Sequence, residues 1–260
     1  MVIECINSAV IVWVMLFRIE PETLQRVPFS RVLHGLRNFI AFGMNCVIAI
    51  YAEFIGVMIH VVLAGRTHNQ YAIAAWLCWG NFNSFTYSIG IGFGNVVRTS
   101  CGNLLGQGKI WSAKNNAIYS MFMSLLLGLS ITLVVAIFID TIVDIYAPGP
   151  GVAAELKPLF QIFCLSITPD VMNGTLTTTM RLSGKVVVVM HIFFWIFSCS
   201  WSILSFTGLS FGLSVQWMLW MYVLCDVFAN GSMIYIIWKS QWEGLSEKEE
   251  KLKEMSLILS

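Results

Sequence analysis

Three carboxylates stand where an acid is expensive: Glu53, Asp170 and Asp226 each interrupt a long apolar run. An ionised carboxylate at the middle of a bilayer costs roughly 2.5–3.5 kcal/mol on insertion scales, and chains that keep such groups use them to move ions or solutes. In a dry site the protonated form is favoured; beside water, sodium or an organic cation the ionised form wins. A midplane acid therefore takes up a proton in one state and releases it in another. That exchange is the elementary step of proton- or sodium-coupled antiport, helped by about 2.3 kcal/mol per charge per 100 mV of membrane potential. The structural reading of each acid is a protonated group hydrogen-bonded to a neighbouring helix.

Polar groups gather around the second acid. Ser166, Asp170, Asn173, Thr177 and Arg181 follow one another at spacings of three and four, so they share one helix face. Pro169 removes a backbone donor and frees the carbonyl of Leu165, and a broken turn beside an acid is a candidate cation site. His60, seven residues past Glu53, falls on that acid's face; a satisfied structural histidine is its plainer reading.

Other chemistries lack their residues. The seven Cys show no Cys-x-x-Cys pair, which argues against a disulfide framework or a zinc site. The four His (34, 60, 68 and 191) have no ligand spacing, and no nucleophile–base pair of an intramembrane enzyme is visible. Neither a metal nor an organic cofactor is expected, nor an enzyme. A net charge of +1 argues against nucleic acid as a partner.

The elements that must position the acids follow from composition. Hydrophobic residues make up 57% of the chain and charged ones 11%, against about 25% charged in a typical soluble domain. Mean hydropathy is +0.77, so lipid is the expected solvent. Apolar segments run at 2–17, 39–64, 72–97, 116–139, 158–180, 186–207 and 214–238. All but the first reach the 20 or so residues that span hydrocarbon, and they are too continuous for barrel strands. The expected fold is all-α: a polytopic membrane helix bundle of six transmembrane helices plus a short N-terminal helix remnant. Residues 1–38 hold the remnant and an amphipathic linker, 39–240 the six-helix lobe, and 241–260 a charged tail. Within the linker, 27–38 reads either as an interfacial helix or as a basic loop.

Basic residues orient the bundle. If all seven segments cross, thirteen Lys and Arg fall on one side, and only Arg66 and Lys157 on the other. Lys and Arg are retained on the cytoplasmic side, so the tail is cytoplasmic. Glu53 then lies 14 residues from the inner end of its segment, Asp170 lies 11 before Arg181, and Asp226 lies 13 before Lys239. At about 1.5 Å per residue all three acids sit roughly 17–21 Å from the cytoplasmic ends. That is the midplane level where transporter sites lie. Ser166, Asn173, Thr177 and Asp226 are candidate cavity-lining residues on this argument.

Four runs carry a family resemblance. Glu53-Phe-Ile-Gly-Val-Met-Ile-His-Val-Val-Leu-Ala-Gly65 resembles an acid-headed seventh-helix motif ending Leu-(Ala/Ser)-Gly. Gly102-Asn-Leu-Leu-Gly-Gln-Gly108 resembles an eighth-helix G-N-x-L-G-A-G signature. Asp170 precedes Arg181-Leu-Ser-Gly184 as an acid precedes R-G-x-G in a tenth helix, and Gly208–Trp217 is similar to a Gly-rich turn opening the last helix. In this order they resemble the C-terminal lobe of the multidrug and toxic compound extrusion (MATE) family. The resemblance implies a secondary antiporter that exports organic cations or other xenobiotics in exchange for H+ or Na+. It also implies Glu53 and Asp170 as the coupling acids, with Asn81 and Tyr87 lining the cavity. The linker would be the start of an inter-lobe connection, and the host membrane the plasma membrane or a vacuolar or vesicular one.

Three departures qualify it. Met58 replaces a second seventh-helix acid, and Arg98-Thr-Ser-Cys101 stands where the signature reads S-x-R-V. The resemblance covers one lobe, so the chain is half-size or a fragment, and a second lobe or a homodimer would complete the cleft. The alternative function is a non-transporting membrane scaffold, or a subunit that needs another chain's lobe.

Overall fold

A backbone in hydrocarbon must satisfy its own hydrogen bonds, and helices do so locally. The computed structural model describes Val10, Trp13 and residues 29–240; the side chains at 29–35, 37, 38, 41, 42 and 53 lie outside its described part. Among the described residues there are helices and no strand. They are α1 (Phe29–Gly65), α2 (Gln70–Gly106), α3 (Ile110–Ile137), the short α4 (Ile139–Tyr146), α5 (Pro150–Leu182), α6 (Val186–Ser210) and α7 (Val215–Lys239). The segment 2–17, apart from Val10 and Trp13, and the tail 241–260 lie outside the described residues. Residues 29–38 are the first turns of α1, and of their side chains only that of Leu36 is described, so the amphipathic reading lies outside the described residues.

The chain divides into two units, Met1–Met44 and Asn45–Ser260, and the site lies within the second. Among the described residues, five helices are long and apolar enough to cross a membrane: Gly43–Gly65 of α1, then α3, α5, α6 and α7. The expected sixth crossing, 72–97, lies within α2. Its 37 residues give ample length, but its polar residues keep it below that apolar level.

α5 is the hub, packed against α2, α3 and α7. Its contact with α2 is backbone to backbone. A Cβ on Gly90 would come within 2.8 Å of the Val171 carbonyl oxygen, and one on Gly174 would overlap the Gly90 carbonyl. Small residues allow this approach, and van der Waals contact then supplies the attraction that the hydrophobic effect cannot supply in lipid. On its other flank α5 meets α3 through Thr132–Thr168 and Ser124–Thr175 hydroxyl pairs at 3.0 and 2.9 Å.

The helix ends are set by local chemistry. Asn69 caps α2 by accepting from the N–H groups of Tyr71 and Ala72, and its amide donates to Glu155 of α5 at 3.0 Å. α2 closes at Gly108, with φ +72°, where the Lys109 N–H reaches the Leu104 carbonyl at 2.9 Å. α5 closes the same way at Gly184, with φ +77° and Lys185 N–H on Met180. Both are left-handed glycine stops, and each is followed by a lysine beside the last carbonyls.

Pro169 does not break α5, which stays helical from Pro150 to Leu182. Neighbouring helices pack around the lost hydrogen bond, and membrane helices tolerate proline on that condition. The irregularity lies in α6, where Phe193–Ser200 winds as a π-helix. The Ser198 hydroxyl donates to the Ala52 carbonyl of α1, and the Ser200 hydroxyl to Trp195 at 2.8 Å.

Candidate functional site

A cleft of about 530 Å³ opens along α1, α2, α5, α6 and α7. One face of α2 supplies Gly80, Asn83, Ser84, Tyr87, Ser88, Ile91, Asn95 and Arg98. Those spacings of three and four are a single helical stripe. α1 adds Ala49, Ile50, Phe54, Val57 and Met58, and α5 adds Gly174, Thr177, Thr178 and Arg181. The aromatic wall is Trp79, Phe193, Phe197, Trp201 and Tyr222.

Asp170 sits just behind that wall. It is 1% exposed, and the Tyr222 hydroxyl donates to its Oδ1 at 2.5 Å. Trp79 meets the Tyr222 ring edge-on at 5.6 Å, and Trp201 lies 5.0 Å from it. The acid thus meets the cleft through a clamped phenol. Asp226, one turn further along α7, is fully buried and accepts from the Asn230 amide at 2.7 Å. The face of α7 that carries Tyr222, Asp226 and Asn230 is turned inward.

The α5 stripe divides along its length. Ser166, Asp170 and Asn173 are buried and outside the cleft lining, whereas Thr177 and Arg181 line it. Thr177 donates to the Asn173 carbonyl at 2.8 Å. Tyr87 lines the cleft. Asn81 does not: it is exposed and off the α2 stripe, and Asn83 holds the cavity position two residues on. The correction is one of helical phase, since two residues turn a helix by about 200°. Glu53 lies in α1 one turn from both Ala49 and Val57, which line the cleft; its side chain is outside the described part.

His60 is fully buried away from the cleft. Its Nδ1 donates to the Gly56 carbonyl at 2.7 Å, leaving Nε2 to accept from the Ser205 hydroxyl at 2.9 Å. Its ring stacks on Trp201 at 3.4 Å, which is the structural reading of this histidine. Sequence reasoning missed Tyr222, Asn83, Asn95 and the aromatic wall. The spacing of Tyr222 and Asp226 by four was the available signal for the first. Among the described residues no group of His, Cys, Asp and Glu is placed to hold a metal.

The polar atoms facing the cleft are partly unspent. The Trp79 Nε1, Asn83 Oδ1 and Arg181 Nε atoms are buried without a hydrogen-bond partner among the described residues. A buried unpaired polar atom costs about 1–3 kcal/mol, so these groups favour a ligand that pairs with them.

Comparison with known proteins agrees with this architecture. Protein DETOXIFICATION 29 of Arabidopsis thaliana is 23% identical over 232 residues, covering 85% of this chain and 45% of that protein. Protein DETOXIFICATION 30 of the same plant is 23% identical over 188 residues, covering 71% and 38%. The chain therefore spans less than half the length of the curated relatives it matches. Among solved structures, a MOP superfamily transporter from Pyrococcus furiosus aligns with a TM-score of 0.68 at 16% identity, covering 77% of this chain and 44% of that one. A MATE transporter solved with Br-NRF aligns at 0.63 and 18% identity, covering 76% and 45%. These structures share the fold. The MatE family model matches residues 46–204, which hold α2 to α5 entire, and the chain is a member of the MATE family of integral, multi-pass membrane transporters.

Proposed function

We propose that this chain forms one lobe of a secondary antiporter that exports small organic solutes in exchange for protons or sodium. The observation that carries the reading is Asp170, buried at mid-span and joined to the cleft by the Tyr222 hydroxyl. With the cleft dry, a protonated Asp170 costs little. When water or a cation reaches Tyr222, the acid gives up its proton or takes the ion, and the cleft is free to change its occupant. Glu53, one turn from the cleft-lining Ala49 and Val57, is the second coupling acid.

The test is export of a fluorescent organic solute from proteoliposomes under imposed proton or sodium gradients. Asp170→Asn and Glu53→Gln are expected to abolish gradient-driven export while the protein still inserts, and Tyr222→Phe to slow it. Export by Asp170→Asn at the wild-type rate would overturn the reading. The length of the relatives supports a second requirement, a partner lobe. Export that appears only when the residues of a second lobe are supplied would show that the lobe here does not transport alone.

A further inference from the structure

Two arginines line one end of the cleft, and among the described residues no acid pairs with either. The register of α2 on α5 sets them level. Gly94 lies against Gly174 and Thr178, so Arg98, one turn past Gly94, stands level with Arg181, about one turn past Thr178. Val97 and Cys101 hold that level through a buried cluster that Leu182 packs against. Arg98 and Arg181 both line the cleft, and no Asp or Glu does among the described residues. Neither arginine forms an ion pair among those residues, where Lys157 pairs with Asp140. Asp170 is eleven residues from Arg181, roughly 17 Å along α5. At the opposite end of the bundle, by contrast, Arg66 is spent over the Phe206 ring at 5.4 Å.

Two guanidinium groups that line one end of a cleft repel each other. An anion between them relieves that repulsion, and the fork of a guanidinium matches carboxylate, sulfate and phosphate oxygens. We infer that the basic end of the cleft binds an anionic group, carboxylate, sulfate or phosphate, of a substrate whose apolar body lies along Trp79, Phe197 and Trp201. The inference rests on reading this cleft as the substrate path, and it replaces the expected organic cation with an organic anion. The placement belongs to this chain. The signature it resembles carries its arginine where Ser100 stands; Ser100 bonds the Val96 carbonyl and is outside the cleft lining, whereas Arg98, about 200° round the helix, faces in.

The experiment is equilibrium dialysis of 4-methylumbelliferyl sulfate, and of neutral 4-methylumbelliferone, against the chain in phosphatidylcholine nanodiscs, with empty nanodiscs subtracted. The sulfate is expected to bind saturably, and to bind at least about tenfold more weakly to Arg98→Gln and Arg181→Gln. The neutral compound should not distinguish the variants from wild type. Arg98 is exposed, so its variant keeps the fold, which gel filtration verifies, and it decides the matter if Arg181→Gln misfolds. Unchanged sulfate binding in Arg98→Gln, or equal binding of the neutral compound, overturns the inference. So does loss of sulfate binding when phosphatidylglycerol is added, for the site would then belong to a lipid headgroup. Saturable, arginine-dependent binding without gradient-driven flux would sink the antiport reading alone; flux without it would sink the anion alone.

Discussion

α2 and α3 flank the same helix and face different solvents. α3 turns Phe122, Met123, Leu126, Leu129 and Leu133 outward, and it is apolar enough to cross a membrane on composition alone. α2 is longer, yet falls short of that level because Asn83, Ser84, Tyr87, Ser88, Asn95 and Arg98 run down its cleft face. A membrane helix pays for polarity only where lipid touches it. A helix turned to a cleft spends its polar residues there, and its apolar fraction falls without loss of the span.

The sharpest way to break this comparison is to place the same charge on both helices near mid-span. Leu126→Asp on α3 should cost about 3 kcal/mol of insertion free energy, against under about 1 for Ser88→Asp on α2. A microsomal insertion assay reads both, and equal costs would mean that the α2 stripe meets lipid rather than the cleft.

The next effect concerns how α2 is held. Gly174 lets it touch α5 through backbone, so Gly174→Ala should force the helices apart and destabilise the lobe by about 2 kcal/mol. Denaturation in mild detergent measures it, and a loss below about 0.5 kcal/mol would remove the backbone contact from the account. A smaller effect distinguishes saturated polar groups from those left open to the cleft. His60 spends both ring nitrogens inside the core, so Ser205→Ala should cost about 1 kcal/mol by the same assay and leave ligand binding unchanged. A shift in binding would place His60 in the path.

Much of the lobe could be read from residue spacing. The stripe Ser166–Arg181 came from helical period alone, and the structure turns its residues inward. The capping glycines at 108 and 184 stood out as motif positions, and their positive φ explains why glycine is there. Other features escaped. Asn81 and Asn83 differ by 200° of phase, which composition does not resolve. Pro169 reads as a break, yet packing around α5 carries the helix through, while the π-helical Phe193–Ser200 has no proline to announce it. Arg98 stood out in the sequence as a charge and as part of a departure from the signature, and the crossing of α2 on α5 gave it a direction.

Apolar length and periods of three and four by themselves established helices and which residues share a face, because these depend on neighbours in the chain. Tertiary packing decided which face meets which. Only the close crossing at Gly90, Gly94 and Gly174 sets Arg98 level with Arg181, and only the seat of α7 on α5 brings Tyr222 to Asp170. Such pairings join residues far apart in sequence, and the register that creates them is a property of two surfaces in contact rather than of either strand of residues alone.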